Sequence, residues 1–168
     1  MAEREHHYEV DLEWTGNTGT GTSAYRNYER SYRLGAQGTP AILGSSDPIF
    51  RGDGSRWNPE QLLVAALSSC HMLSYLHLCA EAGVVVIGYR DLAEGFMTES
   101  AAPGGRFRRV VLRPVVTIAA ASNAETAREL HHTAHEKCFI ANSVNFPVEC
   151  EPEVITGPSD RSLVDSAP

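Results

Sequence analysis

Residues 56–84 read RWNPEQLLVAALSSCHMLSYLHLCAEAGV, and the fold turns on this stretch. Asn58 is a favoured helix N-cap, Pro59 suits the first helical position, and Glu60 complements the positive end of the helix dipole. Gly83 is placed to end the helix in a left-handed C-cap. Between them lie six to seven turns, roughly 35 Å at 1.5 Å per residue, long enough to run across a domain. The helix is apolar from end to end, yet a thiol and an imidazole, Cys70 and His71, sit at its middle. A free cysteine in an apolar helix is ordinarily a small buried hydrophobe, and Cys79 and Cys150 are read that way. Cys70 differs in its company. Ser68, Ser69 and His71 flank it, and a second candidate, Cys138, opens a predicted short helix.

Upstream, YEVDLEW (residues 8–14) alternates apolar and polar side chains as a half-buried strand does. A Gly-rich turn leads to a more polar strand, AYRNYERSYRL (24–34), and a short extended piece, PAILG (40–44). The loop before the helix carries Arg51, Asp53 and Arg56. Downstream, residues 84–99 and 106–120 read as two long antiparallel strands of a hairpin around a PGG turn, with Pro114 marking an edge or bulge. Asn123 caps a helix over 124–137, whose Glu125 and Glu129 sit early, as the dipole prefers. CFIANSV (138–144) reads as a short helix and PVECEPEVI (147–155) as a closing strand. The order gives an α+β domain over residues 1–156, with antiparallel sheets around a long central helix and a flexible tail over 157–168.

The chain has 168 residues, 42% of them hydrophobic, enough for one domain with a real core. With 14 basic against 21 acidic side chains the net charge is -7, which argues against nucleic-acid binding. The basic run RFRRVVLR (106–113) is read as a solvated strand face. The charged N-terminus has no apolar signal core, and no apolar run is expected to reach the ~20 residues of a membrane span. The expected location is therefore the cytoplasm, where four cysteines are reduced or redox-active thiols rather than a disulfide framework. No CxxC spacing is present.

Thiol chemistry needs thiolate. At an ordinary pKa of ~8.5 about 3% of a thiol is ionised at pH 7, and a pKa of ~6 raises this to about 90% for roughly 3.4 kcal/mol. Burial works the other way, so a reactive buried thiol needs a cation. Arginine stays charged, and a carboxylate can hold its guanidinium by a two-pronged contact. A helix N-terminus would favour thiolate at Cys138.

The residues NPEQLLVAALSSC, with Glu60 ten positions before Cys70, and the later EKCFIANSV with Cys138, resemble the osmotically inducible protein C and organic hydroperoxide resistance family. The likeness covers Tyr8 to Ile155. It implies an intertwined homodimer with sites at the subunit interface. It also implies a cofactor-free thiol peroxidase that reduces organic hydroperoxides and is recycled by an external dithiol. Carried over residue by residue, Cys70 matches the peroxidatic thiol, Cys138 the resolving thiol and Glu60 the carboxylate. Arg51, just upstream of the helix, is the matching arginine, with Arg26 in the second strand as the alternative. Two departures stand out: Phe139 follows the second cysteine where many relatives have proline, and the segment before Arg51 is longer.

One inference is independent of the resemblance. Ten helical residues separate Glu60 from Cys70 by about 15 Å along the axis, beyond the reach of a glutamate side chain. If both serve one site, a second chain must bring the start of one helix to the middle of another, which also accounts for so apolar a helix. Two other functions compete with the peroxidase. His131, His135 and Cys138, at i, i+4 and i+7, would suit zinc, against a solvated face beside Glu136. A non-catalytic dimer would hold an apolar ligand in an interface pocket.

Overall fold

The computed structural model describes residues 4–100 and 104–158. Most of the expected tail, and Pro103 of the PGG turn, lie outside them. The chain divides into two compact units, Met1–Leu62 and Leu63–Pro168.

In the N-terminal unit, β1 (Asp11–Trp14), β2 (Tyr32–Gly35) and β3 (Ile42–Gly44) form an antiparallel sheet in the order β1-β2-β3. Tyr32 pairs with Gly44, where a Cβ would collide with the tyrosine ring at 2.1 Å, so the glycine makes the pairing possible. The strands expected over 8–14 and 24–34 are both shorter than expected, and β1 is exposed throughout rather than half-buried. The second begins only at Tyr32 because Arg30 holds the preceding residues in a turn. Its guanidinium donates to the carbonyls of Tyr25 and Tyr28 and lies over both rings. A 3-10 turn, Pro48–Phe50, follows, capped by Asp47.

The long helix α1 spans Pro59–Glu81. Asn58 and Gln61 cap it reciprocally: Asn58 Oδ1 accepts from the Gln61 N–H at 2.7 Å, and Gln61 Oε1 from the Asn58 N–H at 3.2 Å. At the other end Gly83 takes φ 71°, and the Val84 N–H reaches the Cys79 carbonyl at 2.9 Å. By length and composition α1 is apolar enough to cross a bilayer, which corrects the expectation that no run reaches that size. Its serines and cysteines are too mildly polar to offset the Leu, Ala and Val around them.

The C-terminal unit holds β4 (Val86–Asp91), β5 (Glu94–Thr98), β6 (Arg106–Leu112), β7 (Pro114–Ile118), α2 (Ala124–Lys137), β8 (Val148–Cys150) and β9 (Glu153–Thr156). The predicted hairpin is there, but each arm is broken, so β4 pairs with β7 and β5 with β6. The break is pinned by Arg113: its N–H donates to Asp91 Oδ1 at 2.7 Å, and its side chain pairs with Glu94 and Glu151. Pro114 opens β7, a strand position that needs no N–H. The closing strand is likewise split, and both halves pair in parallel, β8 with β6 and β9 with β7. The two sheets, β4-β7-β9 and β5-β6-β8, are thus mixed rather than antiparallel. The chain returns through α2 before β8, and a crossover helix delivers a parallel strand.

Residues Leu67, His71, Tyr75, Leu78 and Cys79 form the buried stripe of α1. Tyr75, Leu78 and Cys79 cluster with Val84, Val116, Ile118, Ala127 and Ala134, while Leu67 packs with Val110 and Leu112. The Tyr75 hydroxyl donates to the Ala127 carbonyl at 3.1 Å, so a polar tip is buried at little cost. Leu73, on the other side of α1, is 63% exposed. The basic run of β6 is a strand face of the expected kind: Arg109 pairs with Glu149 and lies over Phe96.

Candidate active site

Within the C-terminal unit, the middle of α1 and the end of α2 bring two thiols together. Cys70 is half-buried, Cys138 is 1% exposed, and all four cysteines are free thiols. Cys138 closes α2 as its C-cap, in an extended conformation, and precedes a 3-10 turn over Ala141–Ser143. The expected short helix is therefore one turn. The N–H groups of Ala141 and Ile140 point at the Cys138 sulfur and favour thiolate, as argued from the sequence, but burial outweighs them. Burial first, and then the neighbouring Cys70, push the Cys138 thiol up to about 11. The expected activation of Cys138 is thus reversed.

The other face of the same helix turn carries a second cluster that the sequence reading missed. His71 does not turn toward Cys70. It is 1% exposed, and its Nε2 lies 3.1 Å from Nδ1 of His131 on α2 and 3.5 Å from Sγ of Cys150 at the end of β8. Burial lowers the pKa of His71, and burial followed by the His71 charge lowers that of His131 to about 3, so both rings are neutral at pH 7. Burial, helped by Asp91 and Glu151, raises the Cys150 thiol to about 12. Cys150 packs against the core cluster of Leu67, Val110 and Leu112, as expected of a small hydrophobe, and also touches the His71 ring, while Cys79 sits in the core. The expected set of His131, His135 and Cys138 is not assembled. His131 turns to His71, whereas Cys138 leaves the helix in the extended C-cap conformation and faces Cys70. The solvated face beside Glu136 belongs to His132, 3.4 Å from that carboxylate.

Arg51 and Glu60 belong to the N-terminal unit. Arg51 is the one non-glycine residue with positive φ among the described residues, at 67°. Its N–H donates to the Pro48 carbonyl, and Gly52 is packed so tightly on Ser46 that a Cβ there would meet its carbonyl at 1.6 Å. The loop therefore holds Arg51 in one strained direction. Arg26 lies in a turn rather than a strand, and both arginines line one cleft with Arg30, Asp53 and Arg56. Arg56 is already paired with Asp53 at 3.2 Å. The Glu60 carboxylate has one oxygen, Oε2, that is buried with no hydrogen-bond partner among the described residues.

Residues 52–153 match the family model described as OsmC-like protein. An OsmC-like protein of unknown function from Vibrio cholerae shares 31% identity at a TM-score of 0.80, covering 88% of this chain and 99% of its own. An organic hydroperoxide resistance protein OsmC from Legionella pneumophila superposes at 0.64 with 17% identity, over 90% and 98% of the two chains. An organic hydroperoxide resistance protein from Elizabethkingia anophelis gives 0.65 and 17%, over 92% and 100%. The last two likenesses speak to fold. No curated protein matches the sequence.

Proposed function

Because this chain belongs to the OsmC-like protein family, we propose that it is a thiol peroxidase acting on organic hydroperoxides. The observation that carries the reading is the pairing of Cys70 and Cys138: a half-buried thiol on α1 faced by a fully buried one at the end of α2. That asymmetry assigns the roles. The Cys70 thiolate attacks the distal oxygen of ROOH. The O–O bond breaks, the alcohol leaves with a proton, and Cys70 becomes a sulfenic acid. Cys138 then attacks that sulfur and releases water, forming a Cys70–Cys138 disulfide, which an external dithiol reduces while itself becoming a disulfide.

Glu60 and an arginine, Arg51 by this reading, complete the site. A buried carboxylate oxygen without a donor is costly, and a guanidinium supplies two N–H groups in a matching fork. Helix α1 is unbroken from Pro59 to Glu81, so Glu60 stands about 15 Å along the axis from the Cys70 of its own chain. The shared site therefore requires a homodimer in which each α1 offers its start to the other's middle. The apolar surface of α1 left uncovered, Leu73 included, supports the same assembly. Residues 1–156 act as one catalytic domain in this reading, the protein works in the cytoplasm, and it needs no cofactor. The decisive experiment is thiol titration before and after one equivalent of cumene hydroperoxide per chain. Two thiols per chain should disappear. No loss of thiols refutes the peroxidase and leaves a non-catalytic dimer binding an apolar ligand.

A further inference from the structure

We propose that His71, His131 and Cys150 form a transition-metal site, suited to zinc, on the face of α1 turned away from Cys70. Three elements of the C-terminal unit converge there, the middle of α1, the middle of α2 and the end of β8, and each contributes one donor atom. The donors are His71 Nε2, His131 Nδ1 and Cys150 Sγ, all within 4.8 Å of one another. In a tetrahedral zinc site with Zn–N of about 2.0–2.1 Å and Zn–S of about 2.3 Å, neighbouring nitrogens stand about 3.3 Å apart and nitrogen and sulfur about 3.6 Å. The 3.1 Å and 3.5 Å contacts found here already approximate two of those edges.

Hydrogen bonding alone explains the cluster poorly. Only one proton can sit between the two rings, and with either tautomer His71 Nδ1 and His131 Nε2 stay buried without a partner among the described residues. Two histidines are thereby sealed in for a single shared hydrogen bond. A metal would engage both inner nitrogens and the Cys150 sulfur at once, whereas the proton joins only the two nitrogens. One imidazole pair with one thiolate is a borderline-soft donor set, which selects zinc and related ions over magnesium or calcium. The Tyr89 hydroxyl, near Cys150, is likewise buried without a hydrogen-bond partner among the described residues. Asp91 is not free to bind the ion, since it accepts from Ser68 and from the Arg113 N–H.

The site uses neither Cys70 nor Cys138, so it stands or falls apart from the peroxidase. The test titrates reduced full-length protein, stripped with a chelator, first with Co²⁺ as a spectroscopic probe and then with Zn²⁺ in competition. About one cobalt per chain should bind, with a near-ultraviolet thiolate-to-cobalt band, in the parent and equally in the Cys70→Ser/Cys138→Ser double variant. Cys150→Ala should lose the band and bind at least tenfold more weakly. Should that variant fail to fold by circular dichroism, His131→Gln, which keeps the thiol, should show the same tenfold loss. No uptake by the parent at micromolar concentration overturns the assignment. So does cobalt bound without a thiolate band, or a band that vanishes in the double variant.

Discussion

Cys70 and His71 are neighbours in the chain, yet they serve different regions of the molecule. One residue of α-helix is a turn of about 100° around the axis, so consecutive side chains cannot share a face. Cys70 is half-buried and faces Cys138, where a solvent-borne molecule can reach it. His71 points inward and meets a second imidazole and a third thiol, sealed between α2 and β8. The first region has one accessible sulfur and one buried sulfur behind it, the layout that the proposed reaction would use. The second holds two neutral, buried rings and a half-buried thiol in close contact. Adjacency in the chain invites the reading of His71 as a base for Cys70, and helix geometry forbids it.

The comparison breaks most decisively at Cys70. Cys70→Ser should lower peroxide turnover at least a thousandfold, the scale seen when a nucleophile is removed. Cys138→Ser should still consume one equivalent and hold Cys70 as a sulfenic acid, detected by mass after dimedone labelling. A Cys70→Ser protein that still reacts, beside an inert Cys138→Ser, would exchange the two roles.

The buried half of the pair carries a pH signature. Burial raises Cys138 to about 11, so its thiol form dominates below that pH and its thiolate grows tenfold per unit. Decay of the sulfenic acid after a single turnover should therefore speed up about 100-fold between pH 7 and pH 9. The linkage runs the same way: a thiol raised above its unfolded value favours folding below about pH 9 and loses that contribution as pH climbs toward 11. A flat rate profile would show that resolution does not depend on Cys138.

Substrate choice sharpens the contrast further, because the stretch of α1 around Cys70 is rich in Leu, Ala, Val, Met and Tyr. Burying some 60–80 Å² of alkyl or aryl surface at roughly 25 cal/mol per Å² is worth about 1.5–2 kcal/mol. Cumene hydroperoxide should thus be preferred to hydrogen peroxide by about 10–30-fold in kcat/KM. Arg51→Ala should slow both substrates by one common factor, since it acts on the reacting sulfur rather than on the organic group. Equal rates for the two peroxides in the parent would remove the apolar approach from the argument.

The smallest expected effect belongs to Cys79, the second thiol of α1 and the buried one. Cys79 packs in the core beside Tyr75, and burial raises its pKa. Cys79→Ser should leave peroxide turnover within about twofold while lowering stability by about 1 kcal/mol, the cost of a poorly satisfied hydroxyl. Steady-state rates and urea denaturation of the one variant measure both.

Much of this protein is legible without coordinates. Asn58, Pro59 and Gly83 delimit α1 because capping is local chemistry, read from a few consecutive residues. Asn123 delimits α2 for the same reason, its side chain accepting from the Glu125 and Thr126 N–H groups. The α+β class follows from the order of such elements, and Cys70 with Cys138 follows from motif resemblance. Strand pairing is less legible. The break at Arg113 depends on carboxylates at positions 91, 94 and 151, and the parallel direction of β8 and β9 depends on where α2 returns the chain.

The helices, their ends and the pair of thiols were thus determined by the sequence alone, since each rests on contacts within a few residues or on a recognisable motif. Only the tertiary structure decided which way each side chain looks and how deeply it is buried. It turned Cys138 from an expected thiolate into a thiol raised to about 11. It also set Cys150, packed on the core, beside an imidazole 79 positions away in the chain, that of His71. The physical reason is desolvation: the helix-end N–H groups beside Cys138 are set by local sequence, but the burial that overrides them comes from residues far away in the chain.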